Sequence, residues 1–190
     1  MELTSTRMVP APVAMVWQAL NDPETLKGCV PGCESIVPDG ENAYRIALVA
    51  KVGPVSAKFA GRMQLADIDP PNGYTLSFEG QGGAAGFAKG EAKVALSAEE
   101  NGAATTLSYT VKAQVGGKLA QIGSRLVDGA AAKLADDFFV RFSEIVAVRA
   151  GVVPVTVVRA PPARLASWVR WVLLALLLAI VGFLYVRSAR

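Results

Sequence analysis

"GGKLAQIGSRLVDGAAAKLADDFFVRFSEIVAV", residues 116–148, decides how the rest of the chain is read. Apolar side chains recur in it at steps of three and four: Leu119, Ile122, Leu126, Ala130, Leu134, Phe138 and Phe142. That spacing predicts one long helix with a single stripe to bury. The residues before it alternate, as strands do.

"AYRIALVAKV" (43–52) places Tyr44, Ile46, Leu48, Ala50 and Val52 on one face. "KFAGRMQLADI" (58–68) does the same with Phe59, Gly61, Met63 and Leu65, against Lys58, Arg62 and Gln64. "YTLSFEG" (74–80) faces Tyr74, Leu76 and Phe78 one way and Thr75, Ser77 and Glu79 the other. "AKGEAKVAL" (88–96) and "TTLSYTVKAQV" (105–115) repeat the pattern, with Val94, Leu107, Tyr109 and Val111 among the apolar set. Period-two alternation with short turns such as "DPPNG" (69–73) predicts an antiparallel sheet, wet on one face and apolar on the other.

Upstream, Val13, Val16, Trp17 and Leu20 mark a short helix, and Asp22-Pro23 opens a second with an N-cap and a proline at its first position. The order is strand, two short helices, about six more strands, one long helix. The fold class expected is α+β, with the long helix gripped by a curved antiparallel sheet of about seven strands. Such a layout encloses a cavity, with a gap expected at the end where the short helices sit.

The second helix runs into "CVPGCESI" (29–36). Cys29 and Cys33 are the only cysteines in the chain. Two thiols cannot complete a tetrahedral zinc site, and a redox pair favours two intervening residues at a helix N-terminus. The corner Cys29, Pro31, Gly32, Cys33 is read as structural. The chain holds no histidine, which removes the usual acid–base group, the Ser-His and Cys-His pairs and the commonest metal ligand. No catalytic residue and no metal site are assigned. Asp128, Asp136 and Asp137 read as a solvated helix face rather than an acid cluster. "GQGGAA" (80–85) fits a dinucleotide-binding glycine pattern, but a strand follows it instead of the helix that pattern needs. It is read as a glycine-rich hairpin at a cavity mouth, with Phe87 at its edge.

The charge is uneven. Residues 1–148 carry 13 Lys/Arg against 16 Asp/Glu, whereas residues 149–190 carry six arginines and no acid. A mildly acidic domain is a poor nucleic-acid binder. The last part, "SWVRWVLLALLLAIVGFLYVRSAR" (167–190), contains 16 uncharged and almost wholly apolar residues from Trp171 to Val186. With Trp168, Trp171 and Tyr185 at its borders it reads as a transmembrane helix over 167–187. Arginines are more numerous on the domain side, which places the domain in the cytoplasm. Residues 149–166, with Pro154, Pro161 and Pro162, read as a linker, and 188–190 as a short tail. No secretory leader is read at the start, where Glu2, Arg7 and Pro10 come early.

"DPETLKGCVPGCESI", "VGPVSAKFAGRMQLADIDPPNGYTLSFEGQGGAAGFAKGEAKV" and "GGKLAQIGSRLVDGAAAKLADDFF" resemble the CoxG family of carbon monoxide dehydrogenase. That family belongs to the START and Bet v 1-like (SRPBCC) superfamily of helix-grip proteins, and the resemblance spans residues 1–145. It implies seven strands around a hydrophobic pocket, an accessory rather than enzymatic role, and recruitment of a carbon monoxide dehydrogenase-type molybdenum hydroxylase to the membrane. It also implies an apolar small-molecule ligand, in some members an isoprenoid quinone, with no covalent cofactor.

The expected lining is therefore Leu48, Phe59, Met63, Leu76, Phe78, Phe87, Val94, Tyr109, Ile122, Leu126 and Ala130, with membrane lipid as a further partner. The same residues could simply pack on one another as core. A pure adaptor without a ligand, and a cyclase- or hydrolase-type enzyme on the same fold, are the rival readings.

Overall fold

The computed structural model describes residues 1–99 and 101–151. The expected transmembrane span and short tail, and the linker beyond residue 151, lie outside the described residues. Among those described, no helix is long and apolar enough to cross a membrane.

The chain runs β1 (Glu2–Val9), α1 (Val13–Leu20), α2 (Pro23–Cys29), β2 (Cys33–Pro38), β3 (Ala43–Val52), β4 (Val55–Asp69) and β5 (Gly73–Gln81). A single 3-10 turn (Gly83–Ala85) leads into β6 (Phe87–Ala98) and β7 (Thr105–Gly116), followed by α3 (Lys118–Gln121) and α4 (Ser124–Arg149). The seven strands form one antiparallel sheet in the order β1-β7-β6-β5-β4-β3-β2. The register keeps the alternation in step across strands: Met63 lies opposite Phe78, Leu65 opposite Leu76, and Val94 opposite Tyr109. One face is therefore apolar across the width of the sheet.

The expected single helix over 116–148 is two helices. Gly123 takes φ +94° between them, in the left-handed region that side chains avoid. The expected stripe is also displaced. The buried residues of α4 are Val127, Phe142, Val146 and Ala147, while Leu126 points outward. The break at Gly123 resets the helical phase, so spacing counted through it puts the wrong side chains inside.

The α1–α2 end is sealed, contrary to the gap expected there. Val9, Ala11, Val16, Ala19, Leu20, Cys29, Leu96, Leu107, Phe142 and Val146 form one buried cluster. Aromatic rings tile its border with the helix. Phe138 stacks on Phe142 at 5.6 Å, Phe139 stacks on Tyr109 at 5.0 Å, and Trp17 meets Tyr74 edge-on at 5.9 Å. Two polar staples hold the elements around it. Thr105, fully buried on β7, donates its hydroxyl to the Ala11 carbonyl at 2.7 Å. Asp22 caps α2, accepting from Thr25 and the Glu24 amide, and also meets Arg149 at the end of α4 at 3.3 Å. The Thr25 hydroxyl and Arg149 draw the Asp22 carboxyl below its usual range.

Burial pushes the Tyr74 phenol up to about 12. Its folded pKa is then above the value near 10 of an unfolded chain. The contribution is whole below pH 10 and is lost as pH rises through the folded value. Alkaline titration followed by circular dichroism should show wild-type stability falling across pH 10–12, with a smaller fall in Tyr74→Phe. Equal falls in both would place the loss elsewhere.

Candidate functional site

The sealed cluster occupies one end of the interior. At the other end lie the β3–β4 turn, the glycine-rich segment 82–86, α3 and the first turns of α4. Here the apolar face of the sheet is only half-buried: Leu48, Phe59, Met63 and Phe78 all keep partial exposure. The closest backbone approaches of α4 to the sheet are to β1 and β3.

Small residues on this face let the larger rings lie flat. A Cβ at Gly82 would sit 2.4 Å from the Phe59 ring, and one at Gly90 would sit 2.9 Å from the Phe78 ring. Gly61 and Gly80 face each other between them. Flat rings and missing side chains leave room above the sheet that bulkier residues would fill.

Beside this surface, a groove of about 540 Å³ runs between the first half of α4 and the edge of β3. Its apolar lining includes Pro31, Val49, Ala50, Leu126, Ala130 and Leu134. Leu126 reaches across to Gly53 in the β3–β4 turn. Lys51, Arg125 and Lys133 stand among these residues. Lys133 pairs with Asp137 on the same helix at 2.8 Å.

The expected lining residues fall into three places. Leu48, Phe59, Met63 and Phe78 are on the half-buried apolar face at the open end, Ile122 is half-buried beside it, and Leu126 and Ala130 line the groove. Leu76, Val94 and Tyr109 belong to the sealed end or pack against it. Phe87 is a correction: the pairing of Gln81 with Phe87 and of Gly80 with Ala88 puts its ring on the opposite, solvent face, where it lies across Gly116. Val49, Lys51 and Arg125 were not foreseen, because each depends on where the β3–β4 turn meets α4. Tyr109 is tied up as well as buried. Its ring stacks on Phe139, and Arg7, paired with Asp136, lies over the Phe139 ring at 5.8 Å. Burial alone would lower the Arg7 pKa, but the Tyr109 hydroxyl and Asp136 outweigh it and raise it.

At the corner, α2 ends on Cys29 and β2 begins at Cys33. Burial raises both thiol pKa values, the opposite of what an attacking thiolate needs. The Gly32 carbonyl accepts from the Val49 amide at 2.9 Å, which fixes the corner to β3 beside the groove. Gly32 has φ +72°, and a Cβ there would lie 2.2 Å from the Val49 carbonyl oxygen. Gly32→Ala should therefore cost about 2 kcal/mol or more, from left-handed strain and the clash together. Chemical denaturation of the full chain measures it; an unchanged midpoint would mean that the corner is not held as described.

A larger concavity of about 1010 Å³ lies on the other face of the sheet and has a different character. Arg62, Glu79 and Lys89 face one another across three strands, and so do Glu91, Lys112 and Glu2. Alternating charges of this kind stabilise a solvated sheet face. The glycine-rich segment continues into β6 after one 3-10 turn, so it offers no helix N-terminus to a pyrophosphate.

This geometry, seven antiparallel strands curved around a long C-terminal helix with one end left open, agrees with a sequence match that spans most of the domain. The profile of the carbon monoxide dehydrogenase CoxG family matches residues 6–147. The chain belongs to the CoxG family.

No curated protein sequence matches this CoxG-family chain. Solved structures do. A conserved protein from Geobacillus kaustophilus is 34% identical, with a TM-score of 0.73 over 78% of this chain and 96% of that one. A START superfamily protein from Mycobacterium smegmatis gives 13% identity and a TM-score of 0.60, covering 78% and 98%. The Zhui aromatase/cyclase from Streptomyces sp. R1128 gives 15% and 0.58, covering 80% and 97%. The last two likenesses are of fold alone, and a cyclase on the same frame carries no activity over to this CoxG-family protein.

Proposed function

We propose that this protein is a non-enzymatic, membrane-held accessory protein whose open end takes a hydrophobic ligand, an isoprenoid quinone or a related lipid. One observation carries the reading: apolar side chains that a finished core would bury stay half-exposed at one end of the interior, while the other end is closed. The ligand lies against Leu48, Phe59, Met63 and Phe78, with Ala130 and Leu126 along its edge. Family membership supports a partner of the carbon monoxide dehydrogenase type, a molybdenum hydroxylase that the protein brings to the membrane. The apolar run over 167–187 supports the anchor, with the domain on the cytoplasmic side. Tethering of this kind raises the local concentration of the domain beside both the lipid phase and membrane complexes.

The test is purification of the full chain from native membranes, with extraction and mass-spectrometric identification of bound lipid. The expected result is about one quinone or lipid per chain, together with co-purification of the hydroxylase. Hydroxylase without any lipid would replace the carrier with a pure adaptor. Turnover of an added polyketide-like substrate would replace it with an enzyme.

A further inference from the structure

We propose that the open end docks directly onto an anionic phospholipid surface, Val49 and Leu126 entering the bilayer between Lys51 and Arg125. Val49 is 44% exposed and Leu126 is 52% exposed, and both line the same groove. Large apolar side chains held out toward water beside cations form the two-part contact that peripheral proteins make with lipid, apolar tips below the headgroups and cations among them.

Charge complementarity selects the occupant. The domain as a whole carries more acid than base over residues 1–148. At the groove the balance is reversed. Lys133 is neutralised by Asp137, whereas Lys51 and Arg125 have no carboxylate at ion-pair distance among the described residues. An acidic domain with an unpaired positive mouth is repelled by anionic lipid everywhere except at that mouth, so it is oriented as well as attracted. Docked in this way, the groove opens onto the hydrocarbon, and an apolar ligand can pass in without crossing water. The docking contact rests on exposed side chains alone and holds whether or not the groove is filled.

The test uses the full chain reconstituted into vesicles. A polarity-sensitive fluorophore is attached at Leu126→Cys in a Cys33→Ser background; Cys29 is fully buried and stays unlabelled. The vesicles are phosphatidylcholine alone or with phosphatidylglycerol. The expected result is blue-shifted, brighter emission and quenching by lipid-borne quenchers on the anionic vesicles only. Neutralising Lys51 and Arg125 together (K51Q, R125Q) should lower the docked-to-undocked ratio about 25-fold, roughly fivefold per cation. A label at Val140→Cys, exposed on α4 and outside the groove lining, should stay in water throughout. The proposal is overturned by equal emission on both vesicle types, by no response to the double neutralisation, by burial of the Val140 label as well, or by shielding of position 126 only when the hydroxylase is added. The last result would make the mouth a protein contact. Because the readout is independent of any bound quinone, its failure leaves the carrier reading standing, and an empty carrier leaves docking standing.

Discussion

Replacing Phe142 with alanine should destabilise the protein by about 3–5 kcal/mol, the range for deleting a fully buried aromatic ring. Phe142 is 0% exposed, stacks on Phe138, and joins α4 to the cluster made by Val9, Val16, Leu107 and Val146. No neighbour can collapse into the space, because the elements around it are pinned by the Thr105–Ala11 bond and the Asp22–Arg149 pair. Set against a domain stability of about 5–15 kcal/mol, such a loss moves the urea midpoint of the full chain by about 2 M. Leu126→Ala, one of the positions that simple helical spacing would bury, should cost less than about 0.5 kcal/mol because the side chain is half in water. Equal costs at the two positions would mean that the sealed and open ends are not distinct.

Ala130→Trp should abolish ligand recovery with little change in stability. Ala130 lines the groove on α4, opposite Val49 and Ala50 of β3, and alanine leaves the space there empty. An indole occupies that space and competes with any apolar ligand, so at least a tenfold loss of bound lipid is expected, about 1.4 kcal/mol of affinity. The helix tolerates tryptophan, and the groove is open enough to take it without the 1–3 kcal/mol that overpacking a filled core costs. Lipid extraction from variant and wild type purified side by side checks this. Full lipid content in Ala130→Trp would place the ligand elsewhere.

The sheet was legible in the sequence because each strand obeys one rule, alternation, that neighbouring strands enforce. Met63 and Phe78 occupy the same face by pattern and are opposite each other in the register. The corner was legible too, since Asp22-Pro23 and Pro31-Gly32 are local signals. The helix was legible as a helix but not in phase, because Gly123 interrupts it and a count through the break cannot see the reset. Phe87 was misplaced although the alternation of Ala88, Gly90, Ala92 and Val94 already puts it on the other face; treating it as a loop residue concealed that signal. The Arg7–Asp136 pair and the meeting of Leu126 with Gly53 had no local signal, because they join residues far apart in the chain. The open end itself could not be read from sequence. An apolar residue on a strand looks the same whether its partner is another side chain or a ligand.

The central claim is that one end of the interior is core and the other is a container. Methyl-resolved NMR of the detergent-solubilised full chain, titrated with a short-chain isoprenoid benzoquinone, tests it most directly. The Met63, Leu48 and Leu126 methyls should shift saturably while those of Val9, Leu107 and Val146 hold still. Methyls that do not move at saturating quinone, or that move only in the sealed cluster, would contradict it.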